Sequence, residues 1–94
     1  TASTAVTVGN VSYIRLQSTY VPLLAGVPQP ITLSDGITAG HILVLEYANT
    51  ANTAATCSVT GSNVSLDIAT MNNRDTMTLI WNGIRWLQTS HSSN

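Results

Sequence analysis

The sequence predicts an all-β domain, a compact antiparallel β-sandwich or barrel closed by a type I′ hairpin. Three observations lead there. Valine, isoleucine and threonine are abundant and no stretch carries a helical apolar period. Apolar and polar residues alternate over short runs between turn signals. Near the C-terminus, Asn82-Gly83 separates two apolar runs, the pair that suits positive φ at both central positions of a two-residue turn.

Taken in order, Ala5–Val8 and Val11–Gln17 read as strands turning at Gly9-Asn10. Val21–Pro30 holds Pro22, Pro28 and Pro30, which cannot donate to a ladder, so it reads as an irregular or edge segment. Pro30–Leu33 alternates and Ser34-Asp35-Gly36 is a turn. The run His41–Tyr47 is apolar on both faces, as in a strand covered on two sides, and in so short a chain a second copy could supply one cover. Asn49–Thr56 is a polar loop. Cys57–Thr60 and Val64–Ala69 read as a hairpin around Gly61-Ser62-Asn63, and Met71–Asp75 leads into the last hairpin. There, a two-residue turn would pair Trp81 with Ile84 and Leu79 with Trp86, giving one apolar face.

Ninety-four residues make one domain spanning 1–94, without repeat or linker. Charged residues are 7% of the chain, lysine is absent, and Ser, Thr and Asn supply about a third of the positions. A surface so poor in charge does little to resist close association, which points to a subunit that works against other subunits. Three arginines and a net charge of −1 leave no electrostatic footprint for nucleic acid. No run approaches a membrane span, and the N-terminus lacks the regions of a signal peptide, so the expectation is a soluble, unsecreted protein with no membrane partner. The chain reads as complete, beginning at Thr1 after loss of an initiator methionine. Cys57 has no partner for an internal disulfide.

Chemistry-bearing residues are few. Cys57 with His41 or His91 offers the ingredients of a nucleophilic site without a signature, and a lone strand cysteine is more simply a small buried apolar residue. His91 falls in what reads as a loose polar tail. Asp35 and Asp75 are explained as turn residues, leaving Glu46 and Asp67 without glycosidase spacing. Two histidines fifty positions apart and one cysteine show no ligand pattern, so neither a metal nor another cofactor is expected. Trp81 and Trp86 could form a sugar platform, but they share a face with Leu79, Ile84 and Met77, so packing is the reading taken. Glu46 and Arg85, each set among apolar neighbours, read as a pair across an oligomer axis or as solvated rim charges.

The order Ser34-Asp35-Gly36-Ile37-Thr38-Ala39-Gly40, then HILVLEY, then Gly61-Ser62-Asn63, then MTLIWNGIRWLQTSHS resembles small β-domains of tailed-bacteriophage structural proteins. These include C-terminal domains of tailspikes and tail fibres that close with a W-x-G-x-x-W strand and a serine-ended tail. The resemblance covers Ile31 to Ser92 and implies an intertwined homotrimer, hairpins from three chains wrapping an axis. The closing Arg of such tails is His91 here, and no catalytic groove has positions to map onto.

The expectation is therefore a non-enzymatic virion structural protein, a homotrimeric capsid decoration or cement protein that binds the major capsid protein and stabilises the head. The alternatives are a trimerisation or receptor-binding tip of a tail fibre or tailspike, which would meet a host glycan, and a free carbohydrate-binding module. Residues 1–30, outside the recurring pattern, would hold the docking segment, with Val21, Leu23, Leu24 and Val27 inserting into the partner. Residues 31–94 would be the β core, with Leu43, Leu45, Leu79, Trp81, Ile84 and Trp86 packing the hairpin and the trimer.

Overall fold

Alternating apolar residues bounded by turn residues yield nine strands in the computed structural model, which describes residues 4–18 and 27–94. They are β1 (Thr4–Val6), β2 (Tyr13–Ser18), β3 (Gln29–Leu33), β4 (Ile42–Asn49), β5 (Cys57–Thr60), β6 (Val64–Ser65), β7 (Thr70–Met71), β8 (Thr76–Trp81) and β9 (Trp86–Ser92). The chain is all-β, and no helix occurs among the described residues. Two sheets face each other, one ordered β1-β3-β5-β7 and the other β2-β4-β8-β9-β6.

The first eight strands alternate between the two sheets, odd-numbered strands in one and even-numbered in the other. A chain that crosses over and returns begins its next strand from the same end, so strands two apart become parallel neighbours. β1 with β3, β2 with β4 and β3 with β5 pair in parallel, as does β6 with β9. Parallel pairing needs a crossover. Here a strand of the opposite sheet provides it in place of a helix. The expected purely antiparallel sandwich is thus corrected to a mixed one, antiparallel at β4–β8, β5–β7 and β8–β9.

The turn at Gly9-Asn10 and the expected hairpin at Gly61-Ser62-Asn63 are both corners between sheets. At Gly9-Asn10 the chain passes over the end of the sandwich: Val8 is buried and its N–H donates to the Ser34 hydroxyl at 2.8 Å, on a turn far along the chain. At Gly61-Ser62-Asn63, the Asn63 amide donates to the Leu33 carbonyl at 2.8 Å and to the Asp35 carboxylate at 2.9 Å. Those bonds hold the corner to the β3 end, so β6 enters the other sheet beside β9. The strand pattern beyond Ser65 is interrupted because Gln88 takes the next backbone groups, its Oε1 accepting from the Asp67 and Ile68 N–H groups and its Nε2 donating to the Ile68 carbonyl.

The C-terminal hairpin is present with a different register. Trp81 pairs with Trp86, Ile80 with Leu87 and Leu79 with Gln88, so four residues, 82–85, form the connection. Asn82 Oδ1 accepts from the N–H groups of Ile84 and Arg85 at 2.9 and 2.8 Å, and the Asn82 N–H donates to the Arg85 carbonyl at 3.1 Å. A type I′ turn needs positive φ at both residues, and only Gly83 has it, at 98°. The asparagine side chain thus closes a wider turn than the Asn-Gly pair suggests. Ile84, expected to pack the hairpin, is 70% exposed at its tip.

The core lies between the sheets. Leu43, Leu45 and Tyr47 of β4, Met77, Leu79 and Trp81 of β8, and Trp86 of β9 meet Ile31, Leu33, Cys57, Val59 and Met71 of the opposite sheet. Burying an apolar side chain of this size contributes roughly 1.5–3 kcal/mol. The same-face register brings the two tryptophans together, ring centroids 5.2 Å apart and tilted 58°. Trp86 Nε1–H donates to the Ser34 carbonyl at 3.0 Å, and Trp81 lies flat enough on Gly36 that a Cβ there would fall 2.2 Å from its Cγ.

Two substitutions check this end of the core. Trp86→Ala should cost roughly 3–5 kcal/mol in urea unfolding, through a cavity beside Trp81 and the loss of the bond to Ser34. Gly36→Ala, which adds a single methyl, should cost about 1–3 kcal/mol because the Trp81 ring must move. A loss below about 0.5 kcal/mol for either would place the rings elsewhere.

Candidate functional site

The register of the five-stranded sheet decides which side chains leave the core. On its outer face, Ile42 of β4, Ile80 of β8 and Leu87 of β9 form one row, Tyr13 of β2, Val44 and Thr78 the next, and Arg15, Glu46 and Thr76 a third. The face grades from apolar near the hairpin tip to charged at the far end. Beyond the apolar row, the segments around Ala39 and Gly83 approach each other, a Cβ on Gly83 lying 3.8 Å from the Ala39 methyl. They carry the two most exposed large apolar side chains among the described residues, Ile37 at 73% and Ile84 at 70%. Tyr13 is 54% exposed and Ile42 43%. The run His41–Tyr47 is thus buried on one face by its own chain and left half-open on the other, so within one chain only one of its two expected covers is present.

The charges on this face form a small network. The Tyr13 hydroxyl donates to Glu46 Oε1, and Arg15 Nε lies 3.6 Å from the same oxygen. The hydrogen bond to Glu46 raises the Tyr13 pKa above its ordinary value. Glu46 is therefore paired within its own chain, while Arg85 stands exposed in the hairpin turn. At the edge of the sandwich, β1 and β2 end their sheets, and an apolar groove of about 300 Å³ opens between them, lined by Val6, Ile14, Leu16, Ile31 and Tyr47.

The residues expected to pack the hairpin and trimer divide cleanly. Leu43, Leu45, Leu79, Trp81 and Trp86 lie in the core of a single chain, between 0% and 4% exposed, and Ile84 lies outside it. Neither tryptophan presents a ring face to a ligand, so the platform a sugar-binding module would need is filled by protein. Of the docking residues, Val21, Leu23 and Leu24 fall outside the described residues, and Val27 is exposed just before β3.

His91, expected in a loose tail, belongs to β9. A bulge opposite Thr78 and Leu79 inserts Thr89 and sets His91 across from Met77. Its Nε2 lies 3.7 Å from Asp75 Oδ2 and 3.2 Å from the Thr70 carbonyl. Asp75 is more than a turn residue: 3% exposed, it accepts from the Asn72 N–H at 2.9 Å and the Asn94 N–H at 3.3 Å. His41, the other candidate base, packs edge-on against Trp86 at 5.5 Å, with Nε2 2.6 Å from the Val11 carbonyl.

Cys57 is fully buried, and burial, aided by the nearby Asp75 charge, pushes its thiol pKa up to about 12. A thiol that keeps its proton is a poor nucleophile. Among the described residues no three His, Cys, Asp or Glu side chains gather as metal ligands, and no helix is long and apolar enough to cross a membrane. No protein-family model matches the sequence, and a comparison with curated proteins gives no significant match.

The cysteine gives a direct check. Modification of Cys57 by a disulfide reagent at pH 8 should proceed only as fast as the chain unfolds and become immediate in denaturant; rapid labelling of the native protein would contradict its burial. The raised pKa also fixes a sign: the stability this thiol contributes is full below its ordinary value of 9.0 and falls as pH rises from there towards about 12.

Proposed function

We propose that this chain is a non-enzymatic structural subunit of a bacteriophage virion, a homotrimer that decorates and reinforces the head by binding the major capsid protein. The observation that carries the reading is the outer face of the five-stranded sheet. It keeps Tyr13, Ile42, Val44, Ile80 and Leu87 in register, extends towards exposed Ile37 and Ile84, and belongs to a chain with 7% charged residues. Large apolar side chains gathered on one face mark association surfaces. The single-chain core already accounts for both tryptophans, so assembly draws on this outer face and the open β1–β2 edge. Residues 1–30 supply the capsid-docking segment, with Val27 exposed at its end.

A second reading, the receptor-binding tip of a tail fibre or tailspike, is favoured by a polar hollow at the far end of the same sheet, lined by Arg15, Arg74 and the side chains of Asn73, Thr50 and Thr76.

Light scattering at micromolar concentration should give about three times 9.9 kDa, in line with the closed symmetry of homo-oligomers. Ile37→Ser with Ile84→Ser should lower the association constant at least tenfold without changing the unfolding midpoint by more than about 0.5 kcal/mol, since both side chains are exposed. The purified trimer should saturate capsids that lack it. A monomer with no affinity for such particles would contradict the reading.

A further inference from the structure

Asn82 and Gly83, the one Asn-Gly step in the chain, form the tip of the C-terminal hairpin. Both residues are exposed, as are Ile84 and Arg85, so water reaches the whole turn. The strand before it is held firmly. The Trp81 N–H donates to the His41 carbonyl at 2.9 Å, and the Trp81 carbonyl accepts from the Gly40 N–H at 2.7 Å. The turn itself is closed from Asn82, whose N–H donates to the Arg85 carbonyl at 3.1 Å.

Two backbone N–H groups, those of Ile84 and Arg85, point at Asn82 Oδ1 from 2.9 and 2.8 Å. Paired N–H donors on one carbonyl oxygen are the arrangement that stabilises an oxyanion when a nucleophile adds to the carbon. A nucleophile is at hand. The Gly83 nitrogen is joined to Asn82 through the backbone and closes a small ring on its Cγ, so the attack is intramolecular. Among the described residues the Gly83 N–H meets no acceptor, so no protein hydrogen bond has to break before its proton is lost. Gly83 also has no Cβ to crowd the approach.

We propose that Asn82 is a self-modification site, at which the folded hairpin promotes conversion of the asparagine to aspartate and isoaspartate. Hydroxide removes the Gly83 N–H proton, the nitrogen adds to Asn82 Cγ, and the charge moves onto Oδ1 between the two donors. The intermediate collapses by expelling the side-chain nitrogen, which takes a proton from water and leaves as ammonia. A C–N bond to Gly83 has formed and the carboxamide C–N bond has broken, giving a cyclic imide. Water then opens the ring. Addition at Cγ gives aspartate, and addition at the backbone carbonyl gives isoaspartate, in which the main chain runs through Cβ and Cγ. Nothing is oxidised or reduced, and water is the only co-reactant. The step needs one folded chain, so it stands apart from the assembly reading.

The test incubates the full chain in mildly alkaline buffer, native in one sample and unfolded by guanidinium chloride in the other, and follows both over days. Trypsin releases residues 75–85, in which Asn82 is the one asparagine, so mass spectrometry of that peptide reads the site directly. The native chain should convert at least about fivefold faster than the unfolded chain, a modest share of what oxyanion donors supply elsewhere. Ile84→Pro removes one of the two donors and should lower the native-to-unfolded rate ratio by about fivefold or more. Circular dichroism shows whether that variant folds, and if it does not, the comparison within the parent chain decides alone. The proposal is overturned if the native rate is less than about fivefold above the unfolded rate, or if a folded Ile84→Pro chain keeps the parent's ratio.

Discussion

The contact between the tryptophan pair and the Ser34–Gly36 turn is the constraint on which the rest of the structure depends. Trp81 can lie against the backbone only because position 36 has no Cβ, and Trp86 is oriented by its bond to the Ser34 carbonyl. The same turn takes the Val8 N–H on its serine hydroxyl and the Asn63 amide on its aspartate. Strand ends from both sheets therefore meet at one place. Two rings of this size bury roughly 150–250 Å² each, and their partners come from positions up to 52 residues apart. That long reach holds the sheets together without a disulfide, the lone cysteine being buried in the core.

Once the chain's own strands have buried these rings, the apolar residues left outside need another explanation. Ile37, Ile84, Tyr13 and Ile42 sit on or beside one face, and few charges discourage contact there. A 94-residue chain hides a smaller share of its surface than a longer one, so covering such a face in an assembly adds stability that the monomer lacks. At the opposite end the sheet turns polar, and Asp75, buried beneath Asn72 and Asn94, braces the strand that follows Arg74. One sheet thus carries surfaces of two characters, apolar near the hairpin tip and polar at the far end.

Much of this could be read in the sequence. The C-terminal hairpin pattern put Leu79 and both tryptophans on one packed face, and the turn residues Ser34-Asp35-Gly36 and Gly61-Ser62-Asn63 marked real changes of direction, whereas His41–Tyr47, apolar on both faces, did not reveal that Leu43 and Leu45 point inward. Alternation tells a residue's face but carries no information on which of two sheets its strand joins. The parallel pairings and the two sheet-crossing corners were hidden for that reason. The hairpin register was hidden for another: Asn82-Gly83 suits a two-residue turn, but the Asn82 carboxamide captures two N–H groups beyond it and widens the loop. The left-handed backbone of Arg74 had no residue-type signal, because it holds the third position of the turn closed by the Asp75 N–H on the Asn72 carbonyl, a place usually taken by glycine or asparagine.

Whether the core belongs to one chain or to an assembly is decided by hydrogen exchange at the Trp86 indole N–H, followed by NMR over a range of protein concentrations. With that proton bonded to Ser34 inside a single-chain core, it should exchange as slowly as the most protected backbone amides, at a rate independent of concentration. Fast exchange, or protection that grows with concentration, would mean that other copies complete the core and would contradict the account.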